Sequence, residues 1–139
     1  MIISASRSVG KDLSCMTRYD HVRADLRNAL KGLDEALAVA KSDLEVDGVL
    51  QRFEFTFELF WKTLKLHLEQ EGIIANTPKQ CFKEAYRLGL IRNESSALRM
   101  LDDRNLTVHL YDQKTSREVF ERVRTLYLEL FREALNQIG

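Results

Sequence analysis

The stretch VLQRFEFTFELFWKTLKLHL, residues 49–68, decides the fold. Its middle part, residues 53–59, alternates apolar and polar side chains as a half-buried strand does, but the alternation stops at Phe60-Trp61 and no turn residue bounds it. Over the longer window the apolar side chains follow the spacing of a helix face: Leu50, Phe53, Phe57, Phe60, Trp61, Leu64 and Leu68. The stretch therefore predicts a helix of about twenty residues, ended by Gly72 and buried on more than one side.

A first helix is predicted upstream of this stretch. Apolar residues recur there at three- and four-residue steps: Val22, Leu26, Ala29, Leu30, Leu33, Ala36, Leu37 and Ala40. Ser42 and Glu45 then have the spacing of a capping box, which marks the break before the central helix.

A short third helix is predicted downstream. Thr77 has the character of an N-cap, Pro78 fits the first helical position, and Gln80 has the spacing that completes a capping box. Gly89 is predicted to close the helix. Its inward side chains are predicted to be these four: Cys81, Phe82, Ala85 and Leu88.

Two further helices complete the prediction. Asn93 is expected to cap a fourth helix that runs to about Asp112, and residues 115–118 (TSRE) to cap a fifth. The apolar columns of the fifth helix are as follows: Val119, Phe120, Val123, Leu126, Tyr127, Leu130, Phe131, Ala134 and Ile138. Because all connections are short, the sequence predicts an all-α, up-and-down bundle of four to five helices with one shorter helix inserted.

The composition is that of a small globular protein. The chain has 139 residues, 45% of them hydrophobic and 30% charged, and its formal net charge is zero, so no overall field draws it to nucleic acid. Its two cysteines lack metal-site spacing, and no apolar run reaches the length of a membrane span or a signal peptide. We therefore expect a polar tail over residues 1–16, one helical domain over residues 17–139, a cytoplasmic location, and no metal, cofactor or membrane.

Two stripes of the fourth helix carry the candidate chemistry. One stripe places Arg104 in an otherwise apolar row: Ala97, Leu101, Val108 and Tyr111. The other stripe is polar throughout: Asp102, Asn105, His109 and Asp112. The apolar row around Arg104 and the apolar side chains of residues 49–68 together form more apolar surface than one bundle of this size should need for its core. The sequence therefore predicts a homodimer.

An arginine and a histidine on one helix suit metal-free RNA cleavage. The imidazole of His109 moves a proton near neutral pH, and the guanidinium of Arg104 stabilises the negative charge of the phosphorane. Asn105, one turn before His109, is placed to orient the ring or bind the substrate. A plainer interpretation stays open, in which Arg104 pairs with a carboxylate on a facing helix and His109 is solvated.

Two segments resemble a known family. Arg104-x-x-x-x-His109-x-Tyr111, with polar Asn105 after the arginine, resembles the signature of HEPN proteins, particularly the HepT-like ones. The segments RFEFTFELFWKTL (residues 52–64) and DDRNLTVH (residues 102–109) resemble the branch of nucleotidyltransferase substrate-binding proteins. The resemblance spans residues 19–135, and it implies a helical bundle that dimerises so that two Arg–His motifs face one cleft.

The resemblance also implies a partner, a minimal nucleotidyltransferase (MNT). In HEPN/MNT toxin–antitoxin pairs the HEPN protein is an RNase toxin, which implies catalytic roles for Arg104 and His109 and a supporting one for Asn105. The partner silences the toxin by adenylylating the tyrosine two residues after the motif histidine, here Tyr111; a plain core tyrosine is the alternative. Two other functions stay open: a non-catalytic nucleotide- or substrate-binding subunit of a two-component nucleotidyltransferase, and a degenerate interaction module.

Overall fold

A single long helix, α2, lies at the centre of the computed structural model, which describes residues 16–107 and 112–139. Within these ranges the chain is all-helical, and the five helices are α1 (Arg18–Val39), α2 (Asp43–Gln70), α3 (Pro78–Arg87), α4 (Glu94–Thr107) and α5. Helix α5 consists of an α-helical part (Gln113–Arg122), a π-helical turn (Val123–Tyr127) and a second α-helical part (Leu128–Ile138). The predicted all-α bundle is confirmed, whereas most of the predicted tail, residues 1–16, lies outside the described residues.

Helix α2 is longer than predicted, with 28 residues instead of about twenty. It begins at Asp43 because Ser42 and Glu45 form the expected capping box, in which each side chain accepts a hydrogen bond from the other residue's backbone N–H. The helix ends as predicted at Gly72, whose positive φ of 79° lets the N–H of Ile73 reach the carbonyl of Leu68 at 2.8 Å. The capping box therefore starts the central helix itself.

The core is built around the aromatic side chains of α2. Phe53 stacks on Tyr127 of α5 with ring centroids 5.8 Å apart, and Phe57 meets Phe82 of α3 edge-on at 5.7 Å. The buried side chains of α2 cover a broad face of the helix, and α1, α3, α4 and α5 all pack against it. Phe55, by contrast, is 61% exposed, as its place on the opposite side of the helix requires.

The helix starts follow local side-chain caps. Thr77 caps α3, although the Gln80 side chain accepts from the N–H of Asn76 and so does not close the predicted box. Asn93 caps α4 through the N–H of Ser96. The prediction that residues 115–118 cap the fifth helix is wrong: Asp112 caps it, accepting from the N–H of Lys114, so Asp112 does not end α4.

Two predicted inward residues are exposed. Leu88 is 44% exposed because it is the C-cap of α3, and Gly89, at a φ of 78°, turns the chain so that Leu90 fills the core instead. Leu126 is 43% exposed because the π-helical turn inserts one residue into α5 and so changes the direction in which its side chains point. No helix within residues 16–107 and 112–139 combines the length and hydrophobicity that crossing a membrane requires.

Candidate functional site

Arg104 lies near the end of α4, at the edge of the core. The inward line of α4 follows three-residue steps through Ala97, Met100 and Asp103, all buried. Arg104 is the next residue, and its side chain is 30% exposed. Arg104 thus lies at the boundary between the buried interior of the bundle and its surface.

The guanidinium of Arg104 is held by contacts on several sides. It pairs with the carboxylate of Glu58 on α2, and its Nη1 donates to Oδ1 of Asn105 at 3.3 Å. Its carbon Cζ lies 5.6 Å from the centre of the Phe57 ring, within the range of a cation–π contact. The plainer interpretation of Arg104, a pair with a facing carboxylate, is therefore realised, while nearly a third of the side chain stays accessible.

Glu58 is itself fixed by a second partner. The indole Nε1 of Trp61 donates to Oε2 of Glu58 at 3.0 Å, while Oε1 accepts from Arg104. Trp61 lies three residues after Glu58, so both side chains are on the same side of α2. Neither Glu58 nor Trp61 was predicted as part of the site. The sequence signal that could have indicated them is the occurrence of an acidic residue and a tryptophan within the aromatic segment, residues 53–61.

The residue before Arg104 ties α4 to α5. Asp103 is only 5% exposed, and its two oxygens accept from Arg122 Nε at 2.7 Å and Nη2 at 2.9 Å. The hydroxyl of Tyr127 donates to the same carboxylate. The hydrogen bond to Asp103 raises the pKa of Arg122, and burial followed by that hydrogen bond raises the pKa of Tyr127.

The π-helical turn places the tyrosine of this network. Such turns insert one residue into a helix and are frequent at functional sites. Here the turn spans Val123–Tyr127, directly after Arg122, and Tyr127 is fully buried between Phe53 and Asp103. Sequence reasoning assigned Tyr127 to an apolar column and overlooked Asp103, although its spacing from Ala97 and Met100 indicates an inward position.

Two of the predicted site residues lie outside the described part of the chain. His109 and Tyr111 fall within residues 108–111, so the structure tests neither of them. Arg104 and Asn105 are described, and they are in contact. Asn105 is exposed, as the polar stripe predicts.

A groove of about 550 Å³ lies beside the end of α4. It is bordered by the first half of α2 and the start of α5, with Asp47 and Glu54 on one wall and Thr107 and Gln113 on the other. The two carboxylates give it an acidic wall, which repels a phosphate backbone. Among the described residues, no group of three or more His, Cys, Asp or Glu side chains is arranged to hold a metal ion.

The comparisons with known proteins give a consistent result. Residues 19–139 match the profile of a family described as nucleotidyltransferase substrate-binding-protein-like. Over 94 residues the chain is 35% identical to a Haemophilus influenzae protein named probable ribonuclease HepT. This match covers 63% of each chain, so the protein spans less than two thirds of that relative's length.

Two solved structures share the fold. A protein from Thermus thermophilus has a TM-score of 0.76 and 38% identity, over 81% of this chain and 98% of that one. A Haemophilus influenzae protein has a TM-score of 0.74 and 28% identity, over 84% of this chain and 98% of that one. The second structure is described as the fold of a substrate-binding domain of a nucleotidyltransferase.

Proposed function

Because the chain belongs to the nucleotidyltransferase substrate-binding-protein-like family, we propose that it is a HEPN-type toxin, a metal-independent endoribonuclease paired with a minimal nucleotidyltransferase. Arg104 and His109 are the catalytic residues of this proposal, and Asn105 supports them. Tyr111 is the residue through which the partner controls activity. The relative named probable ribonuclease HepT supports the reaction class.

The single observation that carries the proposal is the hydrogen bonding of the Arg104 guanidinium. Of the five N–H donors of a guanidinium, one bonds to Glu58 and one to Asn105. The Nε donor is buried and has no partner in the described part of the chain. Among the described residues, each terminal nitrogen therefore keeps one hydrogen, and on a side chain that is 30% exposed these two hydrogens suit two oxygens of a phosphate.

The proposed reaction needs only proton transfer and charge stabilisation. The ribose 2′-oxygen attacks the adjacent phosphorus and the bond to the 5′-oxygen breaks, which leaves a 2′,3′-cyclic phosphate and a 5′-hydroxyl. His109 moves the proton at the 2′-hydroxyl or the leaving oxygen, and Arg104 binds the non-bridging oxygens of the phosphorane. Asn105 orients Arg104 through the 3.3 Å hydrogen bond from Nη1.

The proposed active unit is a homodimer. Two protomers then bring two copies of Arg104 to one cleft, and a single RNA strand lies between them. Support comes from the outer side of α2, where Leu44 is 82% exposed and Phe55 is 61% exposed. Large apolar side chains on the outside of a central helix are typical of a surface that a second chain covers.

The proposed control is adenylylation of Tyr111 by the partner. The phenol oxygen attacks the α-phosphorus of ATP, pyrophosphate leaves, and the phenolic proton passes to water or a base of the transferase. Tyr111 is seven residues from Arg104, and the added phosphate and base would occupy the substrate's path. We expect an AMP adduct on the wild type after co-expression with the transferase, and none on Tyr111→Phe, by mass spectrometry.

The activity test is cleavage of total RNA by the purified protein in the presence of EDTA. We expect fragments from the wild type and none from His109→Ala or Arg104→Ala. His21→Ala is the matched control, because His21 is an exposed histidine on α1 and its loss leaves the proposed site intact. Equal cleavage by wild type and His109→Ala indicates a contaminating nuclease and contradicts the proposal.

A second candidate function is a non-catalytic subunit that binds a nucleotide or substrate for the transferase. It is favoured by the ion pair with Glu58, which offsets the charge of Arg104, and by the structural relative described as a substrate-binding domain. This candidate predicts nucleotide binding that depends on Arg104, together with no RNA cleavage by the free protein. Calorimetric titration with ATP, beside the cleavage assay, separates the two functions.

A further inference from the structure

Glu58 is bound through both of its carboxylate oxygens to different residues. Oε1 accepts from Nη2 of Arg104 on α4, and Oε2 accepts from Nε1 of Trp61 on its own helix, 3.0 Å away. Rotation of the carboxylate breaks one of the two bonds. The indole therefore fixes the carboxylate, and the carboxylate fixes the guanidinium.

This arrangement restricts a side chain that is otherwise free to move. A free arginine loses rotamer entropy when it is held in one geometry. Here Glu58, Asn105 and the ring of Phe57 contact the guanidinium before any ligand arrives. Arg104 therefore loses its rotamer entropy on folding and not on ligand binding, which is the condition for preorganised electrostatic stabilisation.

We propose that Glu58, held by Trp61, is a positioning residue that aims the two remaining terminal N–H groups of Arg104 at one phosphate of an RNA strand. The inference rests on the proposed ribonuclease function and goes beyond it. The negative charge of Glu58 weakens the attraction of Arg104 for the phosphate, so the benefit of the pair is geometric. The fixed N–H groups are aimed at the positions that the non-bridging oxygens take in the phosphorane, so they favour the transition state over the bound substrate.

The kinetic test compares variants that change either the charge or the geometry. Glu58→Gln removes the charge, so we expect kcat to fall about tenfold or more and KM to fall roughly two- to fivefold. Glu58→Asp keeps the charge but withdraws the carboxylate, so kcat falls while KM is unchanged. Trp61→Phe removes only the indole donor and gives a smaller loss of kcat.

Glu69→Gln is the matched control, since it makes the same charge change on α2 three turns after Glu58, where Glu69 is exposed and pairs with Lys65. We expect its kcat and KM to stay within about twofold of the wild-type values. Circular dichroism and thermal unfolding establish the folded fraction of each variant. A kcat for Glu58→Gln that falls only in proportion to that fraction overturns the inference.

A binding test keeps the inference independent of turnover. Trp61 is the single tryptophan of the chain, so its indole N–H gives one resonance in a proton–nitrogen NMR spectrum. The probe is a 2′-O-methyl RNA oligonucleotide, which lacks the attacking hydroxyl. We expect the indole resonance to move when the wild type binds the probe, because the phosphate redistributes the hydrogen bonds of Arg104 and Glu58, and not to move in Arg104→Gln.

The two tests separate the inference from the proposed function. If the wild type binds the probe but cleaves no RNA, the ribonuclease proposal fails. A moving indole resonance and a changed probe affinity in Glu58→Gln, but not in Glu69→Gln, then still support the positioning role. A stationary resonance, or equal affinities in both variants, overturns it. Absence of any binding overturns the inference and the proposed function together.

Discussion

Asp103 is the buried charge beside the candidate catalytic arginine. Its carboxylate accepts two hydrogen bonds from Arg122 and one from Tyr127, so two side chains of α5 depend on one residue of α4. A buried carboxylate is tolerated only when its bonds are satisfied in this way. Because Arg104 follows it directly, any shift of Asp103 moves the guanidinium as well.

We expect Asp103→Asn to lower the free energy of unfolding by about 2–3 kcal/mol. The amide has nearly the same size, but it leaves the charge of Arg122 without its partner, and the partial exposure of Arg122 moderates the loss. Tyr127→Phe removes only one hydrogen bond and should cost about 1 kcal/mol. Urea unfolding measures both values, and a loss for Asp103→Asn of less than about 0.5 kcal/mol contradicts the assigned network.

Tyr127 also predicts a dependence of stability on alkaline pH. Burial and the Asp103 hydrogen bond raise its pKa in the native protein above the ordinary value of 10.0. Above about pH 10 the phenol ionises in the unfolded chain, whereas the phenol of the native protein stays protonated. The contribution of Tyr127 to the free energy of unfolding therefore declines as the pH rises. We expect the unfolding free energy to fall more steeply above about pH 10 in the wild type than in Tyr127→Phe. Parallel slopes in urea unfolding would refute this.

At the residue scale, the sequence predicted the positions of Arg104 and Asn105 better than the residues that they contact. Arg104 and Asn105 were predicted from helical stripes, and both lie where those stripes place them. Glu58 is 46 positions away from Arg104, and no periodicity within one helix indicates which facing carboxylate an arginine meets. Such a pair depends on how α2 and α4 pack, which is a property of the assembled bundle.

At the scale of the helices, the local signals were the reliable ones. Capping boxes and glycine stops involve residues a few positions apart, so Ser42, Asn93, Gly72 and Gly89 were all predicted correctly. The start of α5 was missed because Thr115 also has cap chemistry; in the structure its hydroxyl donates to Asp112, the true cap. A π-helical turn has no sequence signature of this kind, since packing against neighbouring helices decides it.

Gly48, inside α2, and Gly72, two residues after its last residue, test the account of this helix. Gly72 has a φ of 79°, so Gly72→Ala forces a side chain into the left-handed region and should cost about 1 kcal/mol. Gly48 lies within the helix and a Cβ there meets no atom within 4 Å, so Gly48→Ala should stabilise the protein by up to about 1 kcal/mol. Thermal unfolding checks both signs, and a stabilised Gly72→Ala contradicts the assigned helix end.

At the scale of the whole molecule, the outer side of α2 is the feature that a single bundle leaves unexplained. Leu44 and Phe55 are eleven residues apart, which brings them within about 20° of the same direction and separates them by about 16 Å along the helix. Both are largely exposed, whereas the aromatic side chains of the opposite face are buried. This row, with the exposed residues Asp47, Gly48 and Gln51 between its two apolar ends, suits a helix-to-helix contact with a second copy.

We therefore predict that the protein is a homodimer and that cleavage depends on dimer formation. Light scattering at micromolar concentration should give about twice the chain mass of 16.2 kDa for the wild type. Phe55→Ser replaces one of the two apolar side chains of the row by a polar one, so we expect a folded species near the chain mass and a loss of RNA cleavage. Its control is Ile74→Ser, because Ile74 is 71% exposed but follows the end of α2, away from the row.

The combination of mass and activity decides between the possible outcomes. A monomeric Phe55→Ser that still cleaves RNA shows that one Arg–His motif suffices and removes the shared cleft from the proposal. A wild type that is monomeric at every concentration contradicts the dimer, and with it the argument from the exposed row. A dimeric Phe55→Ser beside a monomeric Ile74→Ser shifts the interface to the end of α2. A covalent cross-link between two copies of Ile74→Cys would detect that interface.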